Sequence, residues 1–389
     1  MASARGRVVF LSAFQDYRTK KRASVQQVAD GVRDLGYDVW FLSTRYSWLS
    51  KRTDDSRLFL DPASNSIEVV NGIHCLLWKT PVHPFASTSN ILNTIMGRLF
   101  TPYAAWPNST FDSILKSADY VIIESSVAAI FLPRVHRLSP HARIIYYATD
   151  RLDTVGTHPV VQRKLIANGS MIHHVCLRAR RMATDFGWAA DRLYLAEFGI
   201  HPEDFSDVGN DPYDGRPAVV SVGSMLFDRS FFENMPPLFP EVDFHVIGCG
   251  EKLSGADNLY IHDEMPFKAT LPYVKYASAG VAPYRPAPGV EYLAESSLKL
   301  AQYELFGLPA ICPNFAVGEI ASRSGYNPGD VESMRAALTR ALSMAGTIAP
   351  RRFPTWKDVA ARVLHPEQFP NIKIRAVSTH SGSYPHELK

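Results

Sequence analysis

A chain of 389 residues is long enough for two or three domains of ordinary size, and two is the first expectation. Hydrophobic residues make up 46% and charged residues 20%, close to the globular average, which excludes a disordered, collagen-like or disulfide-scaffold chain. The net charge is +3, with 24 Lys and Arg against 19 Asp and Glu in residues 1–208 and 17 against 19 beyond; that excess is too small for a nucleic-acid binder and suits weak attraction to acidic lipid headgroups.

At the N-terminus Val8–Phe10 is far shorter than the apolar core of a signal peptide, and polar Gln15 and Asp16 follow, so export is not expected. Arg7–Ser12 reads as a strand. Ser24–Gly36 reads as a helix with Val25, Val28, Ala29, Val32 and Leu35 on one face and Gly36 as its stop. With the strand Asp38–Ser43 these form a βαβ unit, whose crossover demands a parallel sheet. Strands at Tyr120–Glu124, Arg143–Tyr147 and Arg192–Ala196, the last preceded by a helical stretch Ser170–Phe186, continue the theme. One doubly wound domain is expected over residues 1–207.

Residues 208–217, VGNDPYDGRP, are dense in turn formers and read as a linker. A second α/β domain is expected over 218–365, from the short apolar runs Ala218–Val222, Asp243–Gly248, Leu259–His262, Gly280–Ala282 and Ala310–Pro313 and the helical segments Leu271–Ala277 and Ser297–Phe306. The polar tail 366–389 is expected to be partly disordered or to fold back on the first domain. No run approaches the roughly 18 apolar residues of a membrane span. Cys75, Cys176, Cys249 and Cys312 form no CxxC pair, so reduced cytosolic thiols are expected, with neither a zinc site nor a disulfide framework.

Two such domains are expected to meet at a cleft lined by the carboxyl ends of their strands, where open α/β sheets bind ligands. Asp150 lies just past a strand of the first domain and could serve as a general base. The position equally suits a helix N-cap or a carboxylate paired with Arg151, and Asp153 offers similar chemistry. Val222-Gly223-Ser224-Met225 ends the first strand of the second domain in small residues that admit an anion to backbone N–H groups. It is no Walker loop. The nearest dinucleotide-like run, Gly248-Cys-Gly250-Glu-Lys-Leu253, lacks its third glycine, which disfavours nicotinamide chemistry.

Lys299 stands in the first turn of the 297–306 helix, where the macrodipole disfavours a cation. A bound anion, a diphosphate being the obvious candidate, resolves that conflict; a solvated surface lysine is the plainer reading. Tyr284 and Arg285 leave a nearby strand end and could touch phosphate, or form a turn with a snorkelling arginine. Adjacent His262, Asp263 and Glu264 cannot all point at one metal ion, so their loop is read as facing a base edge, and no DxD motif follows a strand. Ile91, Leu92, Ile95, Met96 and Leu99 share one side of a helix, followed by Tyr103 and Trp106 and near Lys20, Lys21, Arg22, Lys51 and Arg52. Such a segment lies in a membrane interface or packs as an ordinary core helix.

The runs FLSAFQDYRTKKRAS, ATDRLD, VGSMLFD, HDEMPF, APYRP and SSLKLAQYELFGLPAI, in that order, resemble the GT-B nucleotide-sugar glycosyltransferases. Over nearly the whole chain they are similar to the bacterial xanthan-type (GumK-like) glucuronosyltransferases. The resemblance implies a GT-B fold of two Rossmann-like domains, the first acceptor-binding and membrane-facing, the second binding the nucleotide sugar. It implies inverting, metal-independent transfer of glucuronic acid from UDP-glucuronate to a mannose of a polyprenyl-pyrophosphate-linked oligosaccharide in exopolysaccharide (xanthan) biosynthesis. It further implies that no cofactor and no nucleic acid are involved, and that the protein sits peripherally on the cytoplasmic face of the bacterial inner membrane. By position, Asp150 matches the family's base, and Glu264 and Met265 its uracil-binding loop. Tyr284, Leu298, Lys299 and Gln302 match diphosphate and sugar contacts, Met225 and Asp228 the loop lining the donor site, and Arg22 the basic segment of the first domain that faces it. The alternatives are another donor such as UDP-glucose or GDP-mannose, a sugar-nucleotide epimerase, and a two-lobed binding protein without chemistry.

Overall fold

The computed structural model describes residues 4–53, 55–153, 155–253 and 256–374. The chain forms two compact units, one comprising the residues up to Ala196 together with those from Lys357 onward, the other Glu197–Trp356.

The first unit is built on eight strands: β1 (Arg7–Ser12), β2 (Asp38–Tyr46), β3 (Ile67–Val70), β4 (Ile73–Lys79), β5 (Tyr120–Glu124), β6 (Arg143–Ala148), β7 (His174–Leu177) and β8 (Leu193–Leu195). Their order is β3-β4-β2-β1-β5-β6-β7-β8, with β3 alone antiparallel to its neighbour. Helices cover both faces of such a sheet, so its strands read as continuous apolar runs; Val8, Val9, Phe10 and Leu11 of β1 are fully buried. Helix Ser24–Asp34 buries Val25, Val28, Ala29 and Val32, and Gly36 leaves it with φ of 90°. The strand order reverses between β1 and β5. At that switch point the carboxyl ends of the strands leave a crevice for ligands.

The expected helix Ser170–Phe186 is replaced by β7 and a 3-10 helix over Arg180–Ala189. A run of four fully buried residues shows no period that separates a strand from a buried helix. The β3–β4 hairpin also escaped the sequence reading, although its turn residues Asn71 and Gly72, with φ of 49° and 79°, are the pair a two-residue hairpin favours.

The second unit carries β9 (Ala218–Val222), β10 (Asp243–Ile247), β11 (Leu259–His262), β12 (Ala279–Val281), β13 (Ala310–Pro313) and β14 (Arg323–Tyr326), all parallel in the order β11-β10-β9-β12-β13-β14. Its core includes Phe231, Phe232, Phe244, Ile311 and Met334.

The partition differs from the expected boundaries. Residues 208–217 belong to the second unit: Val208 and Tyr213 are buried, and Tyr213 Oη donates to the Tyr273 carbonyl at 2.6 Å. Turn formers mark changes of direction here, while the aromatic between them finds a core. Residues from 197 join the same unit, with Phe205 edge-on to Phe267 and Phe306 and Asp204 paired with Lys268 at 3.2 Å. At the other end, most of helix Trp356–Leu364 packs on the first unit instead of the second, where the Val363 carbonyl meets His174 Nε2 at 2.8 Å. Residues 366–374 continue there: Glu367 pairs with Arg143 at 2.9 Å, and the Ile374 N–H donates to the Leu193 carbonyl. Residues 366–374 thus lie against the first unit; the rest of the expected tail, residues 375–389, lies outside the described residues.

Candidate active site

In the second unit the helix Leu298–Leu305 starts with Ser297 as its N-cap, the Ser297 hydroxyl accepting the Leu300 N–H at 3.1 Å. Two devices fix this helix against the sheet. Gly280 on β12 leaves room for the Tyr303 ring, which an added Cβ would approach to 2.6 Å, and the Tyr303 hydroxyl reaches the Val220 and Val281 carbonyls at 3.2 and 3.0 Å. At the other side Glu304 accepts from Arg323 Nε at 3.1 Å and from Arg351 Nη1 at 2.8 Å, while Arg323 Nη1 donates to the Ala294 carbonyl at 2.6 Å. Glu304→Ala leaves the buried Arg323 without its counter-charge and is expected to cost about 3–5 kcal/mol. A urea midpoint equal to wild type would contradict that role.

The fixed helix holds Lys299 in place. Its side chain is buried, with 8% of the residue exposed. Nζ lies 3.2 Å from Ser221 Oγ and 3.4 Å from the Gly223 carbonyl, and 5.7 Å from the centre of the Tyr284 ring. Among the described residues no carboxylate pairs with it, and burial pushes its pKa down to about 7. An ammonium held out of water beside the positive end of a helix, facing oxygen dipoles and no counter-charge, is a charge that an arriving anion would stabilise. The solvated surface lysine is thereby ruled out.

The surrounding loops converge on the same helix start. Tyr284 Oη lies 2.5 Å from Ser297 Oγ, and burial raises the phenol's pKa, keeping it a neutral hydroxyl. The loop 223–228 is stitched to the strand end at 282–285: the Asp228 N–H donates to the Pro283 carbonyl and the Arg285 N–H to the Leu226 carbonyl, both at 2.7 Å. Within it Met225 is exposed, and Asp228 Oδ1 accepts the Ser230 N–H at 3.0 Å. Gly248, with φ of 62°, lets the loop after β10 lie against Glu264, whose Cα an added Cβ would approach to 3.3 Å. Glu264 is exposed and Met265 half-buried. Leu298 is exposed beside Lys299, and Gln302 is buried one turn on. Sequence reasoning missed Ser221, a polar interruption of the apolar run AVVSV that marks the lysine's seat.

Asp150 and Arg22 belong to the first unit. Asp150 is half-buried just past β6. The end of β5 holds its backbone: Ser125 Oγ accepts the N–H groups of Thr149 and Asp150 at 3.1 and 3.2 Å. Arg151 pairs with Asp153 at 3.0 Å and Asp185 at 3.3 Å. Arg22 is engaged within its own unit, in an ion pair with Asp30 and 4.6 Å from the centre of the Tyr17 ring. A second carboxyl, Glu124, ends β5 beside the switch point. It is buried, hydrogen-bonded to Ser12 Oγ on β1, and raised to a pKa of about 7 by burial and then by the charge of Asp150. The signal that could have found it is the one that singled out Asp150, an acid closing an apolar strand.

Two doubly wound sheets, one in each unit, make up the architecture of the GT-B fold. Solved structures of the same architecture include one described as trehalose-6-phosphate from E. coli bound with UDP-2-fluoro glucose, at TM-score 0.60 and 12% identity over 92% of this chain and 95% of that one. An α,α-trehalose-phosphate synthase (UDP-forming) from Burkholderia xenovorans in complex with glucose-6-phosphate matches at TM-score 0.56 and 12% identity over 95% and 97%. At the level of sequence, residues 10–178 match the family described as Glucuronosyltransferase GumK, N-terminal domain. The UDP-glucuronate:glycolipid 2-beta-glucuronosyltransferase of Xanthomonas campestris pv. campestris is 35% identical over 374 residues, 95% of this chain and 90% of that protein. The chain belongs to the GumK family of glucuronosyltransferases.

Proposed function

We propose that the protein transfers a glucuronosyl group from UDP-glucuronate to a hydroxyl of a glycolipid, a mannose on a lipid pyrophosphate, with inversion and without a metal ion. The observation that carries this reading is the uncompensated ammonium of Lys299 at a helix start. The second unit takes the nucleotide sugar and the first the acceptor. Asp150 accepts the proton of the acceptor hydroxyl while its oxygen bonds to the anomeric carbon and the bond from that carbon to the UDP oxygen breaks on the opposite face, which inverts the centre. Charge developing on the departing diphosphate is met by Lys299, the Tyr284 hydroxyl and the N–H groups of the helix start. Glu264 and Met265 face the base, and Met225, Asp228, Leu298 and Gln302 line the donor; Arg22 retains the donor-facing role that the family resemblance gives it.

Transfer is tested with labelled nucleotide sugars and a lipid-linked mannosyl acceptor. UDP-glucuronate is expected to be used at least about tenfold better than UDP-glucose or GDP-mannose, and EDTA to leave the rate unchanged. Preference for an uncharged hexose contradicts the donor, and inhibition by EDTA the metal independence.

The protein acts peripherally at the cytoplasmic face of the bacterial inner membrane. Among the described residues no helix is long and apolar enough to cross a membrane. In helix Asn90–Ala104, however, Ile91 is 78% exposed and Ile95 50%, and Trp48, Phe59 and Trp106 of the same unit are also exposed. An apolar helix face left in water, with Lys51 and Arg52 exposed elsewhere on the unit, suits an anionic lipid interface. Flotation with vesicles containing phosphatidylglycerol is expected for the wild type and lost on the double substitution Ile91→Asp and Ile95→Asp. Flotation of both proteins, or of neither, contradicts this attachment.

A further inference from the structure

Arg45 lies at the carboxyl end of β2, where the pairing with β4 shifts register, and its φ is 56°. Among the described residues its guanidinium makes no ion pair and no hydrogen bond, and its Nε is enclosed without a partner. Its neighbour Arg57 is different. That side chain is neutralised by Asp55 through contacts of 2.9 and 2.7 Å, and its other donors are taken by the carbonyls of Ala13, Thr44 and Arg45. The Arg45 guanidinium lies 5.0 Å from the centre of the Phe14 ring, and its backbone N–H donates to Tyr103 Oη at 2.7 Å.

His83, in the segment after β4, adds a second unmet group. It is buried, and its Nδ1 is enclosed with no partner. Burial first, and then the charges of Arg45 and Arg57, hold its pKa at about 3, so the ring is neutral and Nδ1 is free to carry a hydrogen. The carboxyl ends of β1, β2 and β4 thus bring together a cation without an ion-pair partner, a spare imidazole nitrogen and Tyr103. Tyr103 closes the helix whose other end exposes Ile91, Leu92 and Ile95.

We infer that Arg45 and His83 form a binding site for the phosphoryl group of a phosphorylated lipid. The inference rests on the reading that the first unit takes a lipid-linked acceptor. A desolvated guanidinium without an anion is unfavourable, and its planar fork matches phosphate oxygens two at a time. A phosphoryl group also offers a further oxygen to the imidazole. The apolar face on the helix of Tyr103 favours an amphiphile over a free anion.

The test uses the full chain saturated with UDP, so that the donor site is filled, and calorimetric titration with geranyl pyrophosphate, inorganic pyrophosphate and geraniol. Geranyl pyrophosphate is expected to bind more tightly than inorganic pyrophosphate, and geraniol not to bind. Arg45→Gln is expected to weaken geranyl pyrophosphate by roughly tenfold or more, with Arg45→Lys recovering part of the loss and UDP affinity unchanged in both. Because an uncompensated charge is removed, the thermal midpoint of Arg45→Gln is expected to equal or exceed that of wild type; His83→Gln, which leaves Arg45 in place, is expected to weaken the same ligand. Unchanged affinity in Arg45→Gln, or its loss together with UDP affinity and thermal stability, would overturn the site. Equal affinity for the two pyrophosphates would overturn the lipid. These measurements require no turnover, so a failure of the glucuronosyl assignment leaves them readable.

Discussion

Lys299→Met is expected to weaken UDP binding by at least about a hundredfold, about 3 kcal/mol, and at the same time to make the free protein more stable near neutral pH. The first effect follows from removing the charge that meets the diphosphate, a loss of charge-assisted hydrogen bonds each worth about 1.5–3 kcal/mol. The second follows from linkage. The folded pKa of Lys299 is lowered from 10.5 to about 7, so between those values the unfolded chain holds a proton that the folded chain lacks. Stability therefore rises with pH through that window, and below about pH 7 the buried charge opposes folding in full, by a few kcal/mol. Methionine carries no charge in either state, so its contribution does not vary with pH. Calorimetric melting of both proteins from pH 6 to 10 checks this: the gap is expected to close as pH rises. A variant less stable than wild type at pH 6, binding UDP normally, contradicts both halves.

Asp150→Asn is expected to lower kcat by about a thousandfold, within the range of a lost general base, while UDP binding is unchanged because the proposed donor site lies in the other unit. Asparagine keeps the size of the side chain and the backbone N–H that Ser125 Oγ accepts. Asp153→Asn is the matched control. Asp153 is exposed and paired with Arg151, and its loss is expected to change kcat by less than about twofold. In Asp150→Asn the neighbouring Glu124 loses a negative charge that raises its pKa, so its carboxyl resonance is expected to titrate at lower pH. Near-normal turnover in Asp150→Asn would move the base elsewhere, and the buried carboxyl of Glu124 is then the next group to replace.

The alternation of βαβ units was legible because its signals are local. The buried face of helix Ser24–Asp34 repeats at helical spacing and ends at Gly36, and β1, β5, β6 and β9 to β13 are compact apolar runs. β7 was not legible, since HVCL is buried on every side and carries no period. Nor was the path of the chain after Trp356, which depends on contacts such as that of His174 with Val363 across 189 residues.

The site divides in the same way. Asp150 and Lys299 were visible as a carboxylate after a strand and a cation where a helix dipole disfavours it. What sets Lys299 apart from a surface lysine is its burial beside Ser221 and Tyr284, distant in sequence and joined by the sheet. Glu124 and Ser125 were legible only as the last residue of an apolar strand and the residue after it. Their place beside β1 and β6 gives them chemistry, through Ser12 on one side and the Asp150 backbone on the other.

The most direct measurement is the number of protons taken up when UDP binds at pH 8, read by titration calorimetry in buffers of different ionisation enthalpy. With Lys299 at about 7 in the free protein, most molecules begin with a neutral amine that the arriving diphosphate must recharge. Uptake approaching one proton per UDP in wild type, and none in Lys299→Met, is the predicted result. UDP binding of undiminished strength in that variant, with no difference in proton count between the two proteins, is the contradictory one.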